Sequence, residues 1–190
     1  MVAKIFEAVI FDLDGTIINS KQDIIKALKK IQFQCSINLG NRKLETDIIG
    51  PKIDILVKNI LQSDIDKLET KTKNQFRQNY NNSNFENTTI YPNMCEILNL
   101  LSHNNIKLFL VTNKAKSSVT ILLDKLEIKS IWQEVCANEV KEESTLKKED
   151  HIKYLLEKYK LSKDKTCIIG DSKDDMLAAK NVGITGLAAG

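Results

Sequence analysis

The chain has 190 residues, 28 of them basic and 25 acidic, and a formal net charge of +3. That near balance argues against a nucleic-acid or anionic-membrane partner, and the length suits one domain plus a sizeable insertion. Cys35, Cys95, Cys136 and Cys167 show no zinc-type spacing, and "VAKIFEAVIF" is too short and too charged to span a membrane, so a reduced cytoplasmic protein is expected.

The first apolar run, "IFEAVIFD" (5–12), predicts a buried strand that ends in Asp12-Leu13-Asp14-Gly15. Alternate residues of a strand share a side, so Asp12 and Asp14 face the same way. Carboxylates that close raise each other's pKa and call for a cation or a shared proton. Asp14-Gly15 alone would be an ordinary turn signal, but that leaves Asp12 unexplained.

Residues 20–88 carry no strong strand signal. Ile24, Ile25, Leu28 and Ile31 predict one amphipathic helix, and Ile53, Leu56, Val57 and Ile60 a second. Residues 63–80 predict a third, with Ser63 as its N-cap, and "NNSNFENTT" (81–89) reads as a polar loop or hinge. Strand and helix then alternate. A stripe of Met94, Ile97, Leu98 and Leu101 precedes "IKLFLVTN" (106–113). Val119, Leu122, Leu123 and Leu126 precede "IWQEVCA" (131–137). Ile152, Leu155, Leu156 and Tyr159 precede "TCIIGD" (166–171), and a weaker run, "GITGLAA" (183–189), closes the chain. Continuous apolar strands joined by helices predict an α/β, Rossmann-like parallel sheet covered on both faces. The expected organisation is a core of residues 1–16 and 89–190 with an α-helical cap, 17–88, inserted after the first strand.

Parallel strands present their sites at their carboxyl ends. Here those ends read Asp12-x-Asp14, Thr112-Asn113-Lys114 and Gly170-Asp171-x-x-Asp174-Asp175. Asp12, Asp14 and Asp171 are expected to converge on a hard divalent cation, and Mg²⁺ suits three carboxylates and a phosphate oxygen. An aspartate in such a site can act as nucleophile toward phosphorus. Competing structural roles exist. Thr112 would cap the next helix, and Asp174 and Asp175 would complement a helix dipole. Ser172 would be a turn residue, His103 and His151 surface residues, and Trp132 a packing residue.

The ordered set "DLDGT" (12–16), "VTN" (111–113), a lysine near 148 and "GDSKDD" (170–175) resembles the haloacid dehalogenase superfamily of phosphatases. "DIIGPKIDIL" (47–56), "QFRQNY" (75–80) and "IYPNMCEIL" (90–98) are similar to its phosphoglycolate-phosphatase-like branch. The resemblance implies a Mg²⁺-dependent phosphatase acting on a small phosphomonoester: a phosphoglycolate-like compound, a sugar phosphate or a nucleotide. It implies Asp12 as nucleophile and Asp14 as general acid and then base. The metal would be held by Asp12, the Asp14 carbonyl and Asp171, with Asp175 just outside. Thr112, Asn113, Gly15 and Lys148 would hold the phosphoryl group, and Lys148 would offset the charge on Asp12. Counting back from Gly170 favours Lys148, with Lys147 close behind. Gly50 and Arg77 of the cap are further candidates for substrate contact.

Asn19-Ser20 stands where relatives carry Asp-Ser, and relatives continue for another strand and helix beyond "NVGITGLAAG". A thinly covered sheet edge near 184–190, and a monomer or homodimer, are therefore expected. A phosphomutase of the β-phosphoglucomutase type would use the same aspartates. A non-catalytic phosphate-binding regulatory protein would share the fold.

Overall fold

The computed structural model describes residues 6–34, 66–138 and 147–190. The helix expected around Ile53–Ile60, its neighbours Gly50 and Ser63, and Cys35 lie outside the described residues.

Five parallel strands form the sheet, in the order β5-β4-β1-β6-β7. They are β1 (Ala8–Phe11), β4 (Lys107–Ala115), β5 (Glu134–Asn138), β6 (Thr166–Gly170) and β7 (Thr185–Ala188). β1 lies at the centre, with Ala8 opposite Lys107 on one side and Thr166 on the other. All four β1 residues are buried, as a strand covered on both faces requires. The two-residue strands β2 (Ile18–Asn19) and β3 (Thr89–Ile90) pair separately. They are too short to leave a periodic signal in the sequence.

The helices between the strands are α3 (Met94–His103), α4 (Lys116–Lys125), α5 (Lys148–Lys158) and α6 (Lys173–Val182). Ile152, Leu155 and Leu156 of α5 and Ala178, Ala179 and Val182 of α6 pack with Ile10, Phe109, Val111 and Ile168 in one core. Val119, Leu122 and Leu123 of α4 are also buried. Each such side chain, fully removed from water, contributes roughly 1.5–3 kcal/mol. The stripe expected on α3 is only partly realised. Leu98 is fully buried, but Ile97 is exposed. Trp132 packs edge-on against Phe11. Cys136 and Cys167 are buried thiols whose pKa burial pushes up to about 11. β7 is an edge strand, exposed along its length.

The chain divides into two compact units, Met1–Ile18 with Ile90–Gly190, and Asn19–Thr89. In the second, α1 (Lys21–Gln34) and α2 (Asp66–Asn81) are its described helices. Ile24, Leu28 and Ile31 of α1 are buried, as their spacing predicts. The Asp23 carboxylate, also buried, accepts hydrogen bonds from the Asn87 backbone and side-chain amides and the Thr88 hydroxyl. Those bonds pin the loop 82–88. Phe85 is wholly buried there despite a φ of 51°, against the polar look of the stretch.

Candidate functional site

The carboxyl ends of β1, β4 and β6 gather the polar residues. The Asp12 amide donates to the Ile169 carbonyl at 2.9 Å, so Asp12 leaves β1 in register with the end of β6. The chain then turns tightly. Gly15 donates to the Ile18 carbonyl at 2.9 Å and has a φ of 85°, a conformation that costs an L-residue roughly 1–2 kcal/mol. A Cβ on Gly15 would also overlap the Asp171 carboxylate. Thr16 donates to the same carboxylate at 3.4 Å. Gly15→Ala should therefore lower stability by about 2 kcal/mol or more and displace Asp171. Chemical denaturation checks the first effect and metal affinity the second.

Lys148 opens α5 and points inward. Its ammonium lies 2.8 Å from Asp12 and 2.5 Å from Asp175, with side-chain exposures of 4% for Lys148, 4% for Asp12 and 0% for Asp175. Lys147 is exposed and is the N-cap residue just before the helix, its amide donating to the Asp150 carboxylate at 3.1 Å. The phase of α5 decides between the two lysines: Lys148 shares the face of Ile152 and Leu155, which the core claims. His151 lies on that face too and is buried, not on the surface as its isolation in the sequence implied.

Ser172 and Asp175 cap α6 reciprocally. The Ser172 amide and hydroxyl donate to the Asp175 carboxylate, and the Asp175 amide donates back to the Ser172 oxygen at 3.4 Å. Ser172 is thus the N-cap of α6 rather than a plain turn residue. Asp175 is the buried group that joins this cap to Lys148, while Asp174 is exposed. Thr112 is buried and does not cap α4, whose N-cap is Ala115. Its hydroxyl instead accepts from the Lys114 amide at 3.2 Å, in the irregular end of β4. The Asn113 carbonyl accepts from the Asn138 side chain at 2.9 Å, tying that end to β5.

Charge dominates the site. Burial pushes the Asp12 pKa up to about 7, against the pull of Lys148 and with the push of Asp175. Asp171 is exposed at the rim of the cluster, and its partial desolvation raises its pKa as well, with Asp175 adding to it. For Lys148, burial works downward, but Asp12 and Asp175 outweigh it and hold the ammonium above its ordinary value. One oxygen from each of Asp12, Asp171 and Asp175 falls within 4.8 Å of the others. The set is all oxygen, and it is anionic beyond what Lys148 neutralises. It could hold a hard divalent cation.

The sequence did not point to a role for Lys114, Thr16 or Asn138. Lys114 is the most consequential: its ammonium lies 2.8 Å from both Asp14 oxygens. The signal was the position of Lys114 at a strand end, two residues after Thr112. Arg77 is half-buried on α2 in the second unit, and its Nε has no hydrogen-bond partner among the described residues. No helix among the described residues is long and apolar enough to cross a membrane.

The chain is similar to known proteins along most of its length. A phosphoglycolate phosphatase of Vibrio cholerae is 28% identical over 189 residues, which is 95% of this chain and 82% of that protein. One from Vibrio vulnificus is 29% identical over 196 residues, covering 96% and 83%. A haloacid dehalogenase-like family hydrolase from Streptococcus pneumoniae superposes with a TM-score of 0.82 at 24% identity, over 96% of this chain and 84% of that one, and so shares the fold. The sequence profile of the haloacid dehalogenase-like hydrolases matches residues 9–189. With that match spanning nearly the whole chain, and the α/β parallel sheet expected of the family in place, the protein belongs to the haloacid dehalogenase-like hydrolases.

Proposed function

We propose that the protein is a Mg²⁺-dependent phosphatase that hydrolyses a small phosphomonoester through an aspartyl-phosphate on Asp12. A phosphoglycolate-like substrate is the first candidate. The observation that carries this reading is the buried Asp12–Lys148–Asp175 cluster, with the Asp171 carboxylate beside it, at the carboxyl edge of the sheet.

Asp12 attacks phosphorus through a carboxylate oxygen, and the bond from phosphorus to the leaving oxygen breaks. Asp14 gives its proton to that oxygen, so the product departs as an alcohol. Asp14, now ionised, takes a proton from water as the water oxygen attacks phosphorus. The bond to Asp12 then breaks and inorganic phosphate is released. Lys148 keeps Asp12 poised by offsetting negative charge on it, and Asp175 fixes the lysine. Thr112, Asn113 and Gly15 orient the phosphoryl oxygens. Asp12, the Asp14 carbonyl and Asp171, with Asp175 behind them, would hold Mg²⁺, which when bound supplies positive charge to the phosphoryl oxygens. A buried nucleophile held at fixed geometry supplies much of the rate by orientation alone.

The test is phosphate release from a panel of phosphomonoesters in Mg²⁺ or EDTA. Release that needs the metal is expected, and the best substrate names the activity. Folded protein that releases phosphate from none of them would overturn the reading.

A further inference from the structure

We propose that Lys114 is a positioning residue for Asp14, fixing the carboxyl group that handles the leaving-group proton. The proposal rests on the phosphatase reading above. Asp14 stands in the turn after β1, and Lys114 at the end of the neighbouring strand β4. One ammonium reaches both oxygens of the carboxylate at 2.8 Å. The side chains are 9% and 13% exposed, so this is not a solvated surface pair worth next to nothing.

A carboxyl group in a turn has two side-chain torsions to settle. A grip on both oxygens from an adjacent strand settles them together when the carboxylate is ionised, and when one oxygen carries the proton the other still accepts from the ammonium and keeps the group in place. The backbone of Lys114 is itself fixed, since its amide donates to Thr112, whose hydroxyl is part of the proposed phosphoryl cradle. The phosphoryl side and the leaving-group side of the site are thereby tied through one residue. Lys148 already serves Asp12 from the other side, so the two cations divide the work: Lys148 holds the nucleophile and Lys114 the proton carrier. An error of about 1 Å in placing a reacting group can cost on the order of 100-fold in rate.

The consequence is specific. Departure of an alkoxide needs the Asp14 proton, whereas p-nitrophenolate leaves without one. The value of kcat/KM reports only the steps up to departure. In Lys114→Met, kcat/KM for the alkyl phosphate turned over fastest in the panel should fall about 100-fold, while that for p-nitrophenyl phosphate should fall less than about 5-fold. The ratio of the two, read in one sample, does not depend on the fraction of protein that is folded. Lys114→Gln keeps one donor for Asp14 and serves as the second variant, with a smaller change in the ratio. An equal fall on both substrates would mean that Lys114 only braces the fold, and would overturn this inference while leaving the phosphatase reading intact. A wild-type protein inactive on both would overturn the phosphatase reading and this inference with it.

Discussion

Asp12→Asn should reduce phosphate release by about 10⁴-fold or more while leaving the protein folded. The two outcomes follow from the same geometry. An amide oxygen is too weak a nucleophile to open the first step, so no aspartyl-phosphate forms. Yet the substitution strands no charge. Lys148 keeps Asp175 at 2.5 Å, and the site loses one of the carboxylates that crowd it. Thermal unfolding should therefore show a Tm near that of wild type. Asp174→Asn is the matched control, since Asp174 is exposed in the first turn of α6 and touches none of the site. Its effect should stay within about 0.5 kcal/mol on stability, with activity retained. Loss of activity in both variants, or in neither, would break the assignment of Asp12.

Lys148→Met should have the largest effect on stability. It removes a cation shared by Asp12 and Asp175, whose side chains are 4% and 0% exposed. Breaking a buried pair by deleting one partner costs about 3–5 kcal/mol, because the remaining charge is uncompensated. Here two carboxylates are left facing each other. The loss should depend on pH, and its sign is fixed. Without Lys148 the Asp12 pKa in the folded state rises further above the 3.8 of an ordinary carboxyl. A group raised in this way loses folding stability as pH rises from its unfolded value to its folded-state value, so raising the folded-state value further extends the loss to higher pH. The deficit should thus be larger at about pH 8 than at about pH 5. Urea unfolding in EDTA at both pH values measures it. Adding Asp175→Asn to Lys148→Met should recover part of the loss, because the two residues act on one buried charge balance. A deficit that does not change with pH would show that packing, not charge, accounts for it.

The fold and much of the site are legible in the chain, for reasons particular residues make clear. The strands at 8–11, 107–115, 134–138 and 166–170 each hold a continuous apolar stretch (8–11, 108–111, 135–137 and 167–169), which a sheet covered on both faces demands. The acidic residues that follow the first and the last of them, Asp12 and Asp171, mark the candidate functional edge. The choice of Lys148 over Lys147 is also legible: adjacent residues on a helix point about 100° apart, and Ile152 and Leu155 fix which side faces in. The same wheel places His151 inward, which reading the histidine by itself misses. Ile97 shows the opposite limit, since its spacing is helical but its side chain stays exposed. Pairings across the chain are a different matter. Lys114 and Asp14 are 100 positions apart, and nothing local to either names the other. Only the adjacency of β1 and β4, with the irregular end of β4, brings them together.

The central claim is that phosphate passes through Asp12. The most direct test is to quench the wild-type protein in acid during turnover, digest it and locate the phosphoryl group by peptide mass. A hydroxylamine-labile acyl phosphate on the peptide that carries Asp12, absent in Asp12→Asn, is the predicted result. Turnover with no phosphoryl group on that peptide, or with one on another residue, would contradict the account.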